Sequence, residues 1–239
     1  MSDARSGNIR EINGPILRIH LPGGRNGEQV RIGSLDIVGE IIALDGDDAI
    51  VQAYESTEGL RPGESVEGLG HPLTVELGPG LLQGIFDGVQ RPLDVIAATA
   101  GDNIPRGLRI DSLDRTREWP FVPRDGLEPG ATIGPGERLG AVQETETIEP
   151  RILVPPGVRG ELIDLIPPGN YSLDKTIARV RDKHGEVHKL KLYHRRPVRI
   201  PRPYAQRDHA IEPLITGQRI LDTFFPLLKG DKGSVPRQF

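Results

Sequence analysis

A chain of 239 residues with 30 glycines and 22 prolines, 36% hydrophobic and only 4% aromatic, is cut by turns too often for long helices and must build an aliphatic core. A formal net charge of −4 without a long basic block argues against nucleic-acid binding, and the lack of cysteine excludes disulfides and thiolate metal sites. No run approaches the ~20 apolar residues of a membrane span, and the start, MSDARSGNIREI, has no apolar signal segment, so a cytoplasmic chain, peripheral to something it docks on, is expected.

Residues 8–75 read as β-structure. NIREI, PILRIHL, EQVRIG, VGEIIAL and DAIVQAY are short, partly alternating runs rich in Ile and Val. NGP, PGGRNGE and DGDD separate them with turn chemistry. Five or six strands at this spacing predict a small barrel, because closure removes exposed edges. Pro62-Gly63 suits a type II turn.

Between 76 and 110 the pattern changes. Leu81, Leu82, Ile85, Phe86 and Val89 fit one face of a helix, opened by Pro79-Gly80 and ended by Arg91-Pro92. GPGLLQG has a weak phosphate-loop look, but it follows no clear strand and no Lys comes after it, so a helix start is preferred.

Residues 111–190 return to β. IGPGERLGAV is echoed by IPPGNYSLDKTIARV, and RILVPPGVRGELIDLI between them reads as two strands around a Pro-Gly hairpin. Two similar halves predict a two-layer module with pseudo-twofold symmetry, resembling the barrel-sandwich of biotinyl and lipoyl domains. The hairpin carries Arg159 and no Lys, which sets aside a biotin or lipoyl carrier. RDKHGEVHKLKLYH predicts another hairpin about His184-Gly185. His184 and His188 have the spacing of a helical metal pair, but with Gly185 in the turn they are expected on two strands or exposed, so no metal site is expected.

From 191 onward, RRPVRIPRPYAQRD holds three prolines and five arginines in fourteen residues and reads as an extended, wet strap between domains. EPLITGQRILDTFFPL comes next, with Ile220, Leu221, Phe224 and Phe225 on one helical face and Pro226 as its stop. Burying eight such apolar side chains is worth roughly 12–24 kcal/mol, so this stretch is expected to need a cover.

The run Tyr54 to Leu93, with SLDRTREWPFVP, ILVPPGVRGEL, PVRIPRP and PLITGQRILDTFFP further on, resembles the catalytic A chain of V-type/A-type rotary ATPases along essentially the whole sequence. The resemblance implies a mainly β chain. It would comprise an N-terminal six-stranded β-barrel (1–75), a short helical connector (76–110), an inserted β-rich bulge domain (111–190), and a strap with the truncated start of a P-loop α/β domain (191–239). It implies B subunits of an alternating A3B3 hexamer as partners, with peripheral and central stalk subunits, and ion transport coupled to Mg-ATP in the full-length parent.

In the family, a phosphate loop comes after the strand whose place SVPRQF takes. Pro236, Arg237, Gln238 and Phe239 are thus the lead-in to a P-loop whose Gly, Lys and Thr are not in the sequence. Catalytic residues, an intact nucleotide site and a metal site are therefore all expected to be absent, with no cofactor bound by this chain. Two residues depart from the family pattern: Arg237, in place of the first P-loop glycine, and Arg196, where the family usually has Trp. The expected function is that of the N-terminal part of the ATP-hydrolysing or ATP-synthesising subunit, without hydrolysis by this chain alone. The alternative is a freestanding module that docks on B or stalk subunits.

Overall fold

The structure, a computed structural model, describes residues 5–82, 84–101, 103–201 and 211–229. The chain divides into two compact units, Met1–Pro201 and Arg202–Phe239. The first opens with six strands: β1 (Arg5–Asn13), β2 (Ile16–His20), β3 (Glu28–Ile32), β4 (Ile37–Asp45), β5 (Asp48–Ala53) and β6 (Ser65–Pro72). They close in the order β1-β2-β5-β4-β3-β6, each pair antiparallel, which is the barrel the sequence predicts.

Alternation fills the barrel. Val30 and Ile32 of β3, Ala49 and Val51 of β5, and Leu17 and Ile19 of β2 are fully buried. Each large aliphatic side chain so placed contributes about 1.5–3 kcal/mol. Register shifts at Ile9/Glu11, Glu28/Val30 and Ile41/Ala43 mark bulges, which supply the curvature a narrow barrel needs. The predicted type II turn forms: Glu64 N–H donates to Arg61 O at 3.2 Å, with Gly63 at φ 92°.

After β7 (Thr74–Leu77) the predicted helix is displaced. Residues 78–82 and 84–92 form turns and loop with one isolated bridge, Phe86 to Pro92, and α1 is Leu93–Ala100. Asp87 accounts for the difference. Its Oδ1 accepts the backbone N–H groups of Val89 (3.0 Å) and Arg91 (2.8 Å), and its Oδ2 accepts from Arg91 Nε. This local competition favours a turn over helix. Leu82 and Ile85 are exposed, so their helical spacing does not build a buried face. Pro92, expected to end a helix, sits extended at the N-cap of one.

Eight strands then form two four-stranded sheets. They are β8 (Glu118–Pro123), β9 (Thr132–Ile133), β10 (Arg138–Val142), β11 (Arg151–Leu153), β12 (Gly160–Leu165), β13 (Gly169–Ser172), β14 (Ala178–Arg181) and β15 (Val187–Leu190). One sheet runs β11-β10-β8-β13, the other β15-β14-β12-β9. Moving four strands along the chain carries one order into the other. Each half gives three strands to its own sheet and lends its second strand to the other half.

The expected barrel-sandwich with pseudo-twofold symmetry is therefore present, with two corrections. The strands flanking Pro155-Pro156-Gly157 do not pair as a hairpin, since β11 lies in one sheet and β12 in the other. The sequence echo is also out of step with the symmetry. Gly134-Pro135-Gly136 comes after β9, whereas Pro167-Pro168 precedes β13, the strand symmetry makes equivalent to β9. Between the sheets lie Trp119, Phe121, Leu139, Val142, Leu162, Leu173, Ile177 and Val180, all buried. The hairpin about His184-Gly185 forms as predicted, with β14 against β15 and Arg181 opposite Val187.

Finally β16 (His194–Pro197) pairs antiparallel with β7, so the strand leaving the barrel and the strand returning from the sandwich form a two-stranded neck. In the second unit α2 (Arg219–Phe224) forms where the sequence places a helix. Asp222 holds its entry, accepting from Thr216 Oγ1 (2.7 Å) and from Thr216 and Gly217 N–H. Ile215, Ile220, Phe224 and Phe225 are exposed.

Candidate functional site

The residues Pro236, Arg237, Gln238 and Phe239 lie outside the described residues. Within the first unit, the charged chemistry gathers where barrel, connector and sandwich meet. Glu76, on β7 and 8% exposed, takes two arginines from distant parts of the chain. Arg195 on β16 reaches its Oε1 through Nη2 at 3.1 Å and Nε at 3.2 Å, and Arg115 Nη2 donates to Oε2. The Gln90 side chain bonds the Glu76 backbone at both N–H and C=O, 2.7 Å each.

The connector is tied to both neighbours. On the barrel side, Glu55 accepts from Arg91 Nη1 at 2.8 Å and from Gly107 N–H at 2.5 Å, and Arg109 pairs with Asp36. On the sandwich side, Leu81 packs against the sandwich core. Glu144 Oε1 accepts the N–H groups of Gly80 (2.8 Å) and Leu82 (3.2 Å). These are N–H groups that a phosphate would need if GPGLLQG were a phosphate loop. The chain's own carboxylate occupies them, and the described part of the stretch forms turns in place of the helix start the sequence favours.

Of the described strap residues, Arg195 and 198–201 are exposed, as the composition suggests, and Arg196 is the buried exception. Arg196, the departure from the family's usual Trp, is 7% exposed and donates to Pro201 O at 2.7 Å. Arg199 reaches back to the barrel and grips Glu40 of β4 with both ends of its fork, Nε to Oε1 at 2.5 Å and Nη2 to Oε2 at 2.9 Å. Tyr54 Oη donates to the same carboxylate. Beside them is a cavity of about 550 Å³, lined by Glu28, Glu40, Ile41, His71, Pro197 and Arg199 among others. Glu28, also buried, is held by Arg5 Nη2 (2.7 and 2.8 Å), Arg25 N–H and Gly70 N–H.

Burial pushes the Glu40 carboxyl up. The hydrogen bonds from Arg199 and Tyr54, with the Arg199 charge, outweigh burial and hold it below its ordinary 4.5. A carboxyl depressed in the native state stabilises the fold above its unfolded-state pKa, and that contribution is lost as pH falls through the lower native value. The gap in urea midpoint between wild type and Glu40→Gln is therefore expected to be full at pH 7 and to close below pH 4.5. A gap that stays constant down to acid unfolding would exclude the ion pair as its source.

The histidines lie on one hairpin, as the sequence suggested. They do not sit on two strands, however: His184 is exposed in the turn and His188 half-buried on β15. Asp182, Glu186 and His188 each bring a ligand-type atom within 4.8 Å of the others. Asp182 Oδ1, however, already closes the turn by accepting from His184 N–H (2.8 Å) and Glu186 N–H (2.9 Å). No helix among the described residues is long and apolar enough to cross a membrane. The paired carboxylates, legible only as scattered Glu and Arg in the sequence, carried no spacing signal that could have joined Glu40 to Arg199.

Two family models match. The beta-barrel domain of the ATP synthase alpha/beta family covers residues 9–70, and the ATP synthase alpha/beta subunit barrel-sandwich domain covers residues 110–199. The V-type ATP synthase alpha chain of Nitrosococcus oceani is 56% identical over 98% of this chain and 39% of its own length. The corresponding A chain of the A-type ATP synthase of Thermococcus onnurineus is 46% identical over 98% of this chain and 40% of its own. The chain thus spans about two fifths of these curated relatives. Among solved structures, the assembled type III secretion ATPase EscN of enteropathogenic E. coli covers 48% of this chain and 29% of its own at 26% identity, with a TM-score of 0.36, too low to bear on the fold.

Proposed function

Since the chain belongs to the ATP synthase alpha/beta family and matches the N-terminal portion of the V-type alpha and A-type A chains, we propose that it supplies the barrel and bulge parts of the catalytic subunit of an ion-translocating rotary ATPase. The observation that carries this reading is a closed barrel succeeded by a barrel-sandwich in a chain that aligns over 98% of its length with these proteins. The same alignment favours it over a freestanding assembly module.

In this reading residues 1–75 are the barrel that meets B subunits in an alternating hexamer. Residues 76–110 are the connector and 111–190 the bulge domain, open to stalk subunits. Residues 191–239 lead toward the nucleotide-binding domain, and the assembly is peripheral to the membrane. Mg-ATP belongs to a P-loop, and the sequence contains no G-x-x-x-x-G-K-[ST].

Two results are expected from the 239-residue chain. Titration with Mg-ATP gives neither micromolar binding nor turnover, and turnover would overturn the non-hydrolysing role. Native mass spectrometry with the B subunit of the same complex gives a discrete hetero-complex. Failure to associate with B or with stalk subunits would overturn the assembly role.

A further inference from the structure

The neck between barrel and sandwich is short. β7 and β16 pair over four residues each, and a two-stranded ribbon of that length is marginal on its own in water. The segment after β16 bears on its stability. The strap turns back toward the barrel, where Val198 N–H donates to Leu73 O at 2.9 Å and Arg199 grips Glu40. Apolar burial does not hold this segment, because Val198 is 52% and Ile200 57% exposed. Its attachment is polar. The principal anchor is a two-pronged guanidinium–carboxylate fork whose acceptor is almost wholly buried and whose donor arrives from 159 residues away.

We propose that Arg199 and Glu40 form a latch that fixes the orientation of the barrel-sandwich on the barrel. With the latch closed, the two modules are tethered on two sides. The connector ties one side through Glu55 and Glu144, and the strap ties the other through Glu40. With it open, the connector remains and the sandwich swings about the neck.

The groups around Glu40 support a switchable contact over a permanent seam. Tyr54 also donates to the carboxylate. The adjoining cavity leaves open space beside it, lined by Glu28, Arg25 and His71 as well as Arg199. Glu28 has its own donors in Arg5, Arg25 N–H and Gly70 N–H, so it does not compete for Arg199. Release of the fork lets the 65% exposed Arg199 side chain rehydrate, while the buried Glu40 keeps Tyr54 Oη and borders the adjoining cavity, and neither hydrophobic core opens.

The chain has no cysteine, which allows a direct test. Exposed Glu11 on β1 and Lys189 on β15 are changed to cysteine in the full chain and spin-labelled, and the inter-label distance distribution is measured. The latched protein is expected to give one narrow population. Arg199→Ala and Glu40→Gln are each expected to roughly double its width, with amide exchange at Val198 faster by about tenfold.

Fluorescence of Trp119, the single tryptophan, reports that the sandwich stays folded in each variant. Arg138→Ala, which removes the exposed pair with Glu149, serves as the control and is expected to leave the width unchanged. Unchanged width in Arg199→Ala with an intact tryptophan signal would overturn the latch, as would equal broadening in the control.

Discussion

Gly140→Ala is expected to destabilise the barrel-sandwich by about 3 kcal/mol, the upper part of the range for overpacking a core. Gly140 lies on β10 between β8 and β11. A Cβ there would stand 2.4 Å from Phe121 Cε2 and 2.4 Å from Val122 O. Phe121 is 1% exposed and enclosed by the sandwich core, so it has no free direction in which to yield. The carbonyl is backbone of the neighbouring strand, and moving it breaks the ladder. Trp119 sits on that same strand, so urea unfolding monitored by its fluorescence reads the damage where it occurs. Gly88→Ala, with nothing within 4 Å of the added carbon, is expected to cost less than about 0.5 kcal/mol. Similar midpoints for the two variants would show that β8 and β10 are not packed as described.

Glu76→Ala is expected to cost about 2–3 kcal/mol. Removing one member of a buried ion pair costs roughly 3–5 kcal/mol, because the other is left as a bare charge, while exposed pairs contribute little. Glu76 has one partner of each kind. Arg195 is 65% exposed and rehydrates. Arg115 is only 18% exposed, lies over the Tyr193 ring at 4.2 Å, and among the described residues would keep one ion-pair partner, Asp111 at 3.9 Å, itself 73% exposed. Burial pulls the Arg115 guanidinium down, yet the nearby negative groups, Glu76 first among them, hold it above its ordinary value. Adding Arg115→Ala to Glu76→Ala is therefore expected to recover part of the loss, as measured by thermal unfolding. A double variant as unstable as the sum of the two single ones would show that the charges are not coupled.

The barrel was legible because its signal is local. Alternating Ile and Val between turn residues dictates short two-sided strands, and closure is the economical way to hide their edges. The sandwich was legible for the same reason, down to its twofold character, though not its strand exchange. Nothing in ILVPPGVRGEL distinguishes a hairpin from a crossover, because both need a Pro-Gly turn between two apolar runs. The connector misled because Leu81, Leu82, Ile85 and Phe86 have helical spacing, while Asp87 and its hydrogen bonds to Val89 and Arg91 decide the backbone.

Contiguous runs of residues carry the strands, the order of the modules and the family they resemble, and for that reason all three could be read without coordinates. Tertiary structure alone decided which carboxylate meets which arginine. Glu40 with Arg199 and Glu76 with Arg195 are 159 and 119 residues apart, and an ion pair has no sequence period to announce it. Those pairs exist because the chain leaves the barrel and returns to it, so residues with no local relation are brought within hydrogen-bond reach.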